Sequence, residues 1–169
     1  VGVGEGGMTI TTTNPLRITS FYEYVVVYTT YSTLLTWDKS WKLQGDLAYR
    51  WSMDPIDRKT WTFNLVENAY FTDPANPGDR SHPVTAEDVR FTWRAQTSAD
   101  VAWVGRDNKK RIRDVEAADP RTVIFRFDRT YPEQLADAVD GGIVPRHVFG
   151  RVPFSEWRSH DWSKERVVS

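Results

Sequence analysis

Cysteine is absent from the 169 residues. Disulfides, thiolate metal sites and cysteine nucleophiles are therefore excluded. The absence suits an oxidising compartment without demonstrating one. No apolar run approaches the roughly 20 residues of a membrane-spanning helix, and no signal-peptide pattern opens the chain. A net charge of -1 leaves no polybasic footprint for nucleic acid or a membrane surface. Histidine is scarce: His82, His147 and His160 stand in neither His-x-x-x-His nor His-Glu-x-x-His spacing, which argues against a catalytic zinc. Gly-x-Ser-x-Gly is missing too. Gly2, Gly4, Gly6 and Gly7 form no dinucleotide fingerprint, because no strand precedes them and no helix follows at once. They read as a tail.

Hydrophobic residues make up 40% and charged residues 27%, a globular rather than disordered balance. The length suffices for one domain with a core. Eight Trp, seven Tyr and eight Phe make the chain rich in aromatics. Such rings can form a ligand-stacking surface, although a single Trp in a domain of this size normally fills core.

Thr60-Trp61-Thr62-Phe63-Asn64-Leu65 alternates, placing Trp61, Phe63 and Leu65 on one face of a half-buried strand. A second aromatic element, 68–72, follows. Three prolines and a glycine then forbid regular structure over 73–83. Thr85 suits a helix N-cap, with Glu87 and Asp88 at the positive end of the dipole and Asp88 in the capping-box position. Val89 and Trp93 share that helix's face. Glu87 and Asp88 do not form a catalytic pair, since adjacent helical positions point about 100° apart. The charged run 107–111 reads as a solvated turn. Residues 112–117 and 122–127 read as strands around an Asp119-Pro120 turn. Pro132 suits a first helical position, Thr130 and Glu133 a capping box, and Leu135 and Val139 the buried side. Gly141-Gly142 reads as a helix stop. Residues 8–13 read as a β-branched strand ended by Asn14-Pro15. Residues 22–36 remain open: Val25-Val26-Val27-Tyr28 favours strand by propensity, whereas Tyr24, Tyr28, Tyr31 and Leu35 fall at helical spacing.

An ordered series of short motifs runs through the chain: Asp46-Leu47-Ala48-x-x-Trp51, Thr60-Trp61-Thr62-Phe63-x-Leu65, Phe71-x-Asp73, and Pro83-Val84-Thr85-Ala86-Glu87-Asp88-Val89-x-Phe91. The series resembles family 5 of the bacterial extracellular solute-binding proteins, which serve ABC importers of peptides, nickel and related solutes. Asn14-Pro15-Leu16, Tyr31-x-x-Leu34, Tyr131-Pro132 and Pro145-Arg146-His147 extend the likeness. The resemblance implies a mixed α/β fold, the N-terminal portion of a two-lobed type II periplasmic binding protein. It implies a helix between Asn14-Pro15-Leu16 and Tyr31. It implies that 1–42 and 140–169 belong to the ligand-facing first lobe and 43–139 to an inserted α/β subdomain. The polar stretch 157–169 stands just before the family's Gly-Pro-Tyr or Gly-Pro-Phe motif, so the second lobe is expected outside this chain.

By the same resemblance the function is capture of a peptide or related small solute outside the membrane for a permease. The protein would act as a monomer, periplasmic or extracellular, with a lipid anchor open. It would need no cofactor, resident metal or catalytic residue. The segment 14–20 would face the ligand cleft, giving Asn14, Leu16, Arg17, Thr19 and Tyr22 as candidate contacts. Arg17 could pair with a ligand carboxylate or simply be exposed, and Tyr22 and Tyr24 could pack on a ligand or in the core. Some members bind nickel or haem, so His82 or His147 could be a ligand or merely a surface or capping residue. Two departures stand out. Fewer residues than usual separate the first strand from Asn14-Pro15, and the 73–83 loop is longer than the usual tight turn. Rival readings are an aromatic-rich carbohydrate-binding module, which needs an exposed row of Trp, and a hydrolase with paired carboxylates.

Overall fold

The computed structural model describes residues 12–18, 20–73 and 75–162. The expected strand over 8–13 lies almost wholly outside them. Four helices, β1 to β6 and two short 3-10 turns are assigned: α1 (Phe21–Thr30), β1 (Leu35–Trp37), β2 (Leu43–Gly45), β3 (Ala48–Met53), β4 (Thr60–Leu65), α2 (Ala86–Thr97), β5 (Ile112–Asp119), β6 (Thr122–Phe127), α3 (Gln134–Val139) and α4 (Arg146–Phe149). No helix among the described residues is long and apolar enough to cross a membrane.

The alternation of 60–65 does what period two requires. Phe63 and Leu65 are buried and Trp61 packs partly buried beside them, in the second strand of an antiparallel sheet ordered β3-β4-β6-β5. The register places Phe63 opposite Val123 and Trp61 opposite Phe125, so the inward residues of adjacent strands meet. The Phe63 and Phe125 rings lie edge to face, 5.4 Å apart, a favoured aromatic geometry. The 68–72 segment contributes only a single bridge, Tyr70 to Pro83, rather than a strand.

Between Ser20 and Tyr31 the chain is helical. Val25 and its neighbours give way because Ser20 and Glu23 form a capping box: Ser20 N donates to Glu23 Oε2 at 3.1 Å and Glu23 N donates to Ser20 Oγ at 3.3 Å. Leu35, counted in a helical stripe by spacing, belongs instead to β1. The result is an inverted helix. Its one charged side chain, Glu23, is buried, while Phe21, Tyr22, Tyr24 and Val25 are exposed.

Two apolar cores result. The first joins the sheet to Val89 of α2, Val139 of α3, Leu34 and Ile143. The second gathers Leu16, Val27, Tyr31, Ala95, Trp103, Val144, Phe149, Trp157 and Trp162. Helix α2 serves both. At its start the Asp88 carboxylate accepts from Thr85 N at 2.9 Å and Thr85 Oγ1 at 2.6 Å, the reach-back that the spacing predicts. Helix α3 begins at Gln134, with Glu133 rather than Thr130 as its cap, and buries Gln134, Ala138 and Val139 while Leu135 is only half-buried. Gln134 Nε2 binds Arg129 O at 3.1 Å, which occupies the turn where a Thr130 cap would form. Of the polar stretch 157–169, residues 163–169 lie outside the described residues; within 157–162, Trp157 is wholly buried and Trp162 nearly so. Their indole N–H groups donate to Val152 O and Trp157 O, both at 2.9 Å, which lets both rings sit inside.

Candidate ligand site

A buried polar seam on α2 fixes one of the lining segments from behind. Asp88, Thr92 and Gln96 recur every four residues and so lie along one line of the helix. Each bonds the main chain of the segment 140–146. Arg146 N donates to Asp88 Oδ1 at 2.9 Å, Val144 N to Thr92 Oγ1 at 3.0 Å, and Gln96 Nε2 to Asp140 O at 3.1 Å. The clip holds the 140–142 turn against the second core. Gly141 sits there at φ +93, in the left-handed region, and a Cβ on it would fall 2.4 Å from Gln96 Nε2 and 3.1 Å from the Trp103 ring. Glycine alone fits.

Lys109, expected in a solvated run, is 1% exposed. Its ammonium donates to Asp137 O, Ala138 O and Asp140 O at 2.5, 3.4 and 2.7 Å, satisfying the free carbonyls at the end of α3. It also lies 5.7 Å from the Trp103 ring. Burial pulls its pKa down to about 8, against the opposing pull of Asp140 and Asp137. The sequence hides this role, because four charged or amide neighbours mask one inward residue.

Opposite the 140–142 turn lies the segment 14–18. Asn14 is fully buried and orders it: Asn14 Oδ1 accepts from Leu16 N at 2.9 Å and Asn14 O from Arg17 N at 3.0 Å. Tyr31 stands between, its hydroxyl donating to Thr13 O at 3.2 Å. Burial holds that phenol far above its ordinary pKa, so it stays a donor.

These segments enclose a cavity of about 190 Å³ whose walls include Leu16, Ile18, Val27, Tyr31, Trp103 and Val104. On the other side of Tyr31 opens a groove of about 530 Å³, lined in part by Thr30, Thr33, Trp37, Asp46, Asp137 and Asp140. Three carboxylates and no lysine or arginine line the groove. Each carboxylate is oriented: Asp46 Oδ2 accepts from Thr33 N at 2.8 Å, Asp137 Oδ2 from Tyr131 Oη at 2.6 Å, and Asp140 Oδ2 from Asn108 Nδ2 at 2.8 Å. Cavity and groove share Tyr31, Thr33, Asp140 and Gly141. The pair suits a solute with one apolar and one cationic group.

The candidates named from the sequence are dispersed over this region. Leu16 lines the apolar cavity. Asn14 lies buried behind it, and its Nδ2 has no partner. Arg17 is turned inward, donating to Val101 O at 2.8 Å. Tyr22 is exposed on α1, edge to face with Phe21 at 6.2 Å. Thr19 lies outside the described residues. Trp103, Val104, Asp46, Asp137 and Asp140 were not anticipated. They come from separate segments and share no spacing that would reveal them.

His82 and His147 do meet, with ring centroids 3.7 Å apart and planes 12° from parallel, and Phe71 lies 5.9 Å from His147. Parallel stacked rings cannot aim both nitrogen lone pairs at one ion. Burial, reinforced by His82, pushes His147 below the usual histidine pKa. Among the described residues no group of three His, Cys, Asp or Glu could hold a metal ion. Glu87 pairs with Arg90 on the surface at 3.4 Å, while Asp88 is consumed by the cap and the clip.

The profile of bacterial extracellular solute-binding proteins, family 5 Middle, matches residues 42–167. Among solved structures, NikZ from Campylobacter jejuni in complex with Ni(L-His) superposes with a TM-score of 0.72 at 23% identity, covering 87% of this chain and 28% of that one. The oligopeptide-binding protein AppA from Bacillus subtilis, in complex with a nonapeptide, gives 0.73 at 20% identity, covering 88% and 28%. OppA from Haemophilus influenzae in complex with RPPGFSPFR gives 0.69 at 24% identity, covering 87% and 31%. The chain thus spans about three tenths of the length of these proteins, and the likeness establishes the fold expected from the sequence, part of a two-lobed binding protein. No curated protein sequence matches significantly.

Proposed function

Because the chain belongs to the bacterial extracellular solute-binding proteins of family 5, we propose that it is the first part of a protein that captures peptides or related small solutes outside the membrane for an ABC permease. The observation that carries this reading is the meeting of the apolar cavity and the acidic groove at Tyr31. The cavity can take one apolar side chain, and the groove favours an amine or a basic side chain through its carboxylates. The solute is therefore a peptide-like molecule carrying both. Capture requires a second lobe closing by a hinge, so that water leaves the cleft. The protein works as a monomer and breaks no covalent bond of its ligand. The residues 1–42 and 140–169 form the ligand-facing part and 43–139 the inserted subdomain, which also lends Asp46, Trp103, Val104 and Asp137 to the site. The separation of the two cores supports that division, with α2 and the turn after it as a shared wall.

The rival carbohydrate-binding module has no support. Trp103, Trp157 and Trp162 are buried, Trp51, Trp61 and Trp93 pack against the first core, and no exposed row of Trp remains on the sheet.

The test is capture of peptides from a mixed pool by the protein expressed from its whole reading frame. Retained peptides are identified by mass spectrometry. The expected result is enrichment of peptides that pair an apolar with a basic residue, with loss of the apolar preference in Trp103→Ala and of the basic preference in Asp46→Asn. Recovery of no peptide overturns the proposal.

A further inference from the structure

The hairpin of β1 and β2 is closed by Trp37-Asp38-Lys39-Ser40-Trp41-Lys42. The turn is tightly made. Asp38 Oδ1 accepts from Ser40 N at 2.7 Å and from Lys42 N at 2.9 Å, and Trp41 N donates to Asp38 O at 3.0 Å. This geometry puts Trp41 at φ +59, where a side chain bearing a Cβ is disfavoured and glycine or asparagine is the usual occupant. The indole gains nothing from folding in return, since it is 81% exposed. Neither backbone preference nor core packing selects tryptophan at this position. A strained residue held open to solvent is an observation from which a role can be inferred.

The surroundings give the chemistry. Trp37, at the end of β1, is 52% exposed, and Lys39 and Lys42 are both exposed. The ion pairs of the described residues include neither lysine. The nearby carboxylate, Asp38, is engaged by two main-chain N–H groups. Two indoles flanked by two free ammonium groups match the boundary of a bilayer, where an indole sits at headgroup level and lysine reaches phosphate. Trp37 also borders the groove of about 530 Å³, whereas neither Trp41 nor the lysines line any of the larger cavities. A protein hot spot would instead be ringed by a desolvating pocket.

We propose that the β1–β2 hairpin tip, through Trp41, Trp37, Lys39 and Lys42, seats on the surface of an anionic lipid bilayer. The net charge of -1 gives the chain no general attraction to such a surface, so the contact is confined to the tip. It does not depend on what solute the protein captures.

The experiment is co-sedimentation of the protein expressed from its whole reading frame with vesicles of phosphatidylcholine containing phosphatidylglycerol, against phosphatidylcholine alone, at low and high salt. The expected result is a salt-sensitive preference for the anionic vesicles. Lys39→Gln and Lys42→Gln should each weaken it roughly fivefold. Trp41→Gly should lower partitioning at least about tenfold, while its thermal unfolding temperature stays equal or rises because the φ strain is relieved. That second readout separates lost contact from lost fold. Tyr49→Ser, which removes an exposed ring on β3, should leave binding unchanged. The proposal is overturned by absence of binding, by binding that survives Trp41→Gly, by an equal loss in Tyr49→Ser, or by binding only to vesicles that carry membrane protein.

Discussion

Replacing Lys109 by methionine isolates the energetics of a buried cation. Folding moves this amine from an ordinary pKa of 10.5 to about 8. Between those values the unfolded chain holds a proton that the folded chain has released, so stability must rise with pH across the window. The gap of about 2.5 pH units, at about 1.4 kcal/mol per unit, gives a rise of about 3 kcal/mol. The direction is opposite to that of a lysine stabilised by an ion pair, because desolvation outweighs the attraction of Asp140 and Asp137. Methionine matches the stem but cannot donate, so the carbonyls of Asp137 and Ala138 lose their donor, while Asp140 O keeps Gln96. An unsatisfied buried carbonyl costs about 1–3 kcal/mol, offset in part by removal of the desolvated charge. Lys109→Met should therefore be modestly destabilised at pH 7, and the wild-type advantage should widen towards pH 10.5. Urea unfolding followed by tryptophan fluorescence at several pH values measures the difference, from which other titrating groups cancel. A constant gap would refute the burial argument, and a narrowing gap would show that the carboxylates dominate.

Three further outcomes are expected. Phe63→Ala removes a fully buried ring that packs on Phe125 and should cost about 3–5 kcal/mol in the same urea assay. Gly141→Ala forces a Cβ against Gln96 and Trp103 at positive φ, with an expected loss of about 1–3 kcal/mol, whereas Gly78→Ala meets nothing within 4 Å and should stay within about 0.5 kcal/mol; equal effects would sink the steric account. Burial holds the His147 pKa below its ordinary value of 6.5, so stability should fall as pH drops below that value and level off below the folded pKa. His147→Gln should lose that slope, read by thermal unfolding between pH 7 and 5.

The sheet and α2 were legible because local pattern and tertiary demand agree there. Thr60 to Leu65 alternates and is paired on both sides, and the Thr85 and Asp88 spacing makes the cap it promises. The helix α1 was readable only through the family resemblance, since its valines favour strand and its cap lies at Ser20. Lys109 and Trp157 were misjudged for one reason. A window of polar neighbours conceals a single inward residue: Lys109 finds main-chain carbonyls about thirty residues away, and Trp157 is buried in the second core with its N–H on the nearby Val152 carbonyl. The ligand site was largely invisible on similar grounds: Tyr31, Asp46, Trp103 and Asp140 converge only after folding, and of the residues named in advance Leu16 and Tyr24 line the cavity.

The polar seam of α2 bears on how such a protein can change its ligand. Asp88, Thr92 and Gln96 all bind main-chain atoms of 140–146. Main-chain atoms are the same whatever residue carries them. Within that segment Gly141 is fixed by its backbone angle, Gly142 by the Tyr31 side chain, and Ile143, Val144 and Pro145 by burial, so it is the side chains of Asp140 and Arg146 that can drift without unfastening it, while the three on the helix cannot. Of α2's twelve residues, only Glu87, Arg90 and Arg94 are exposed. Variation in a lineage should therefore gather along the rim of the site and on that one stripe, so that selectivity diversifies while the scaffold beneath it is inherited intact.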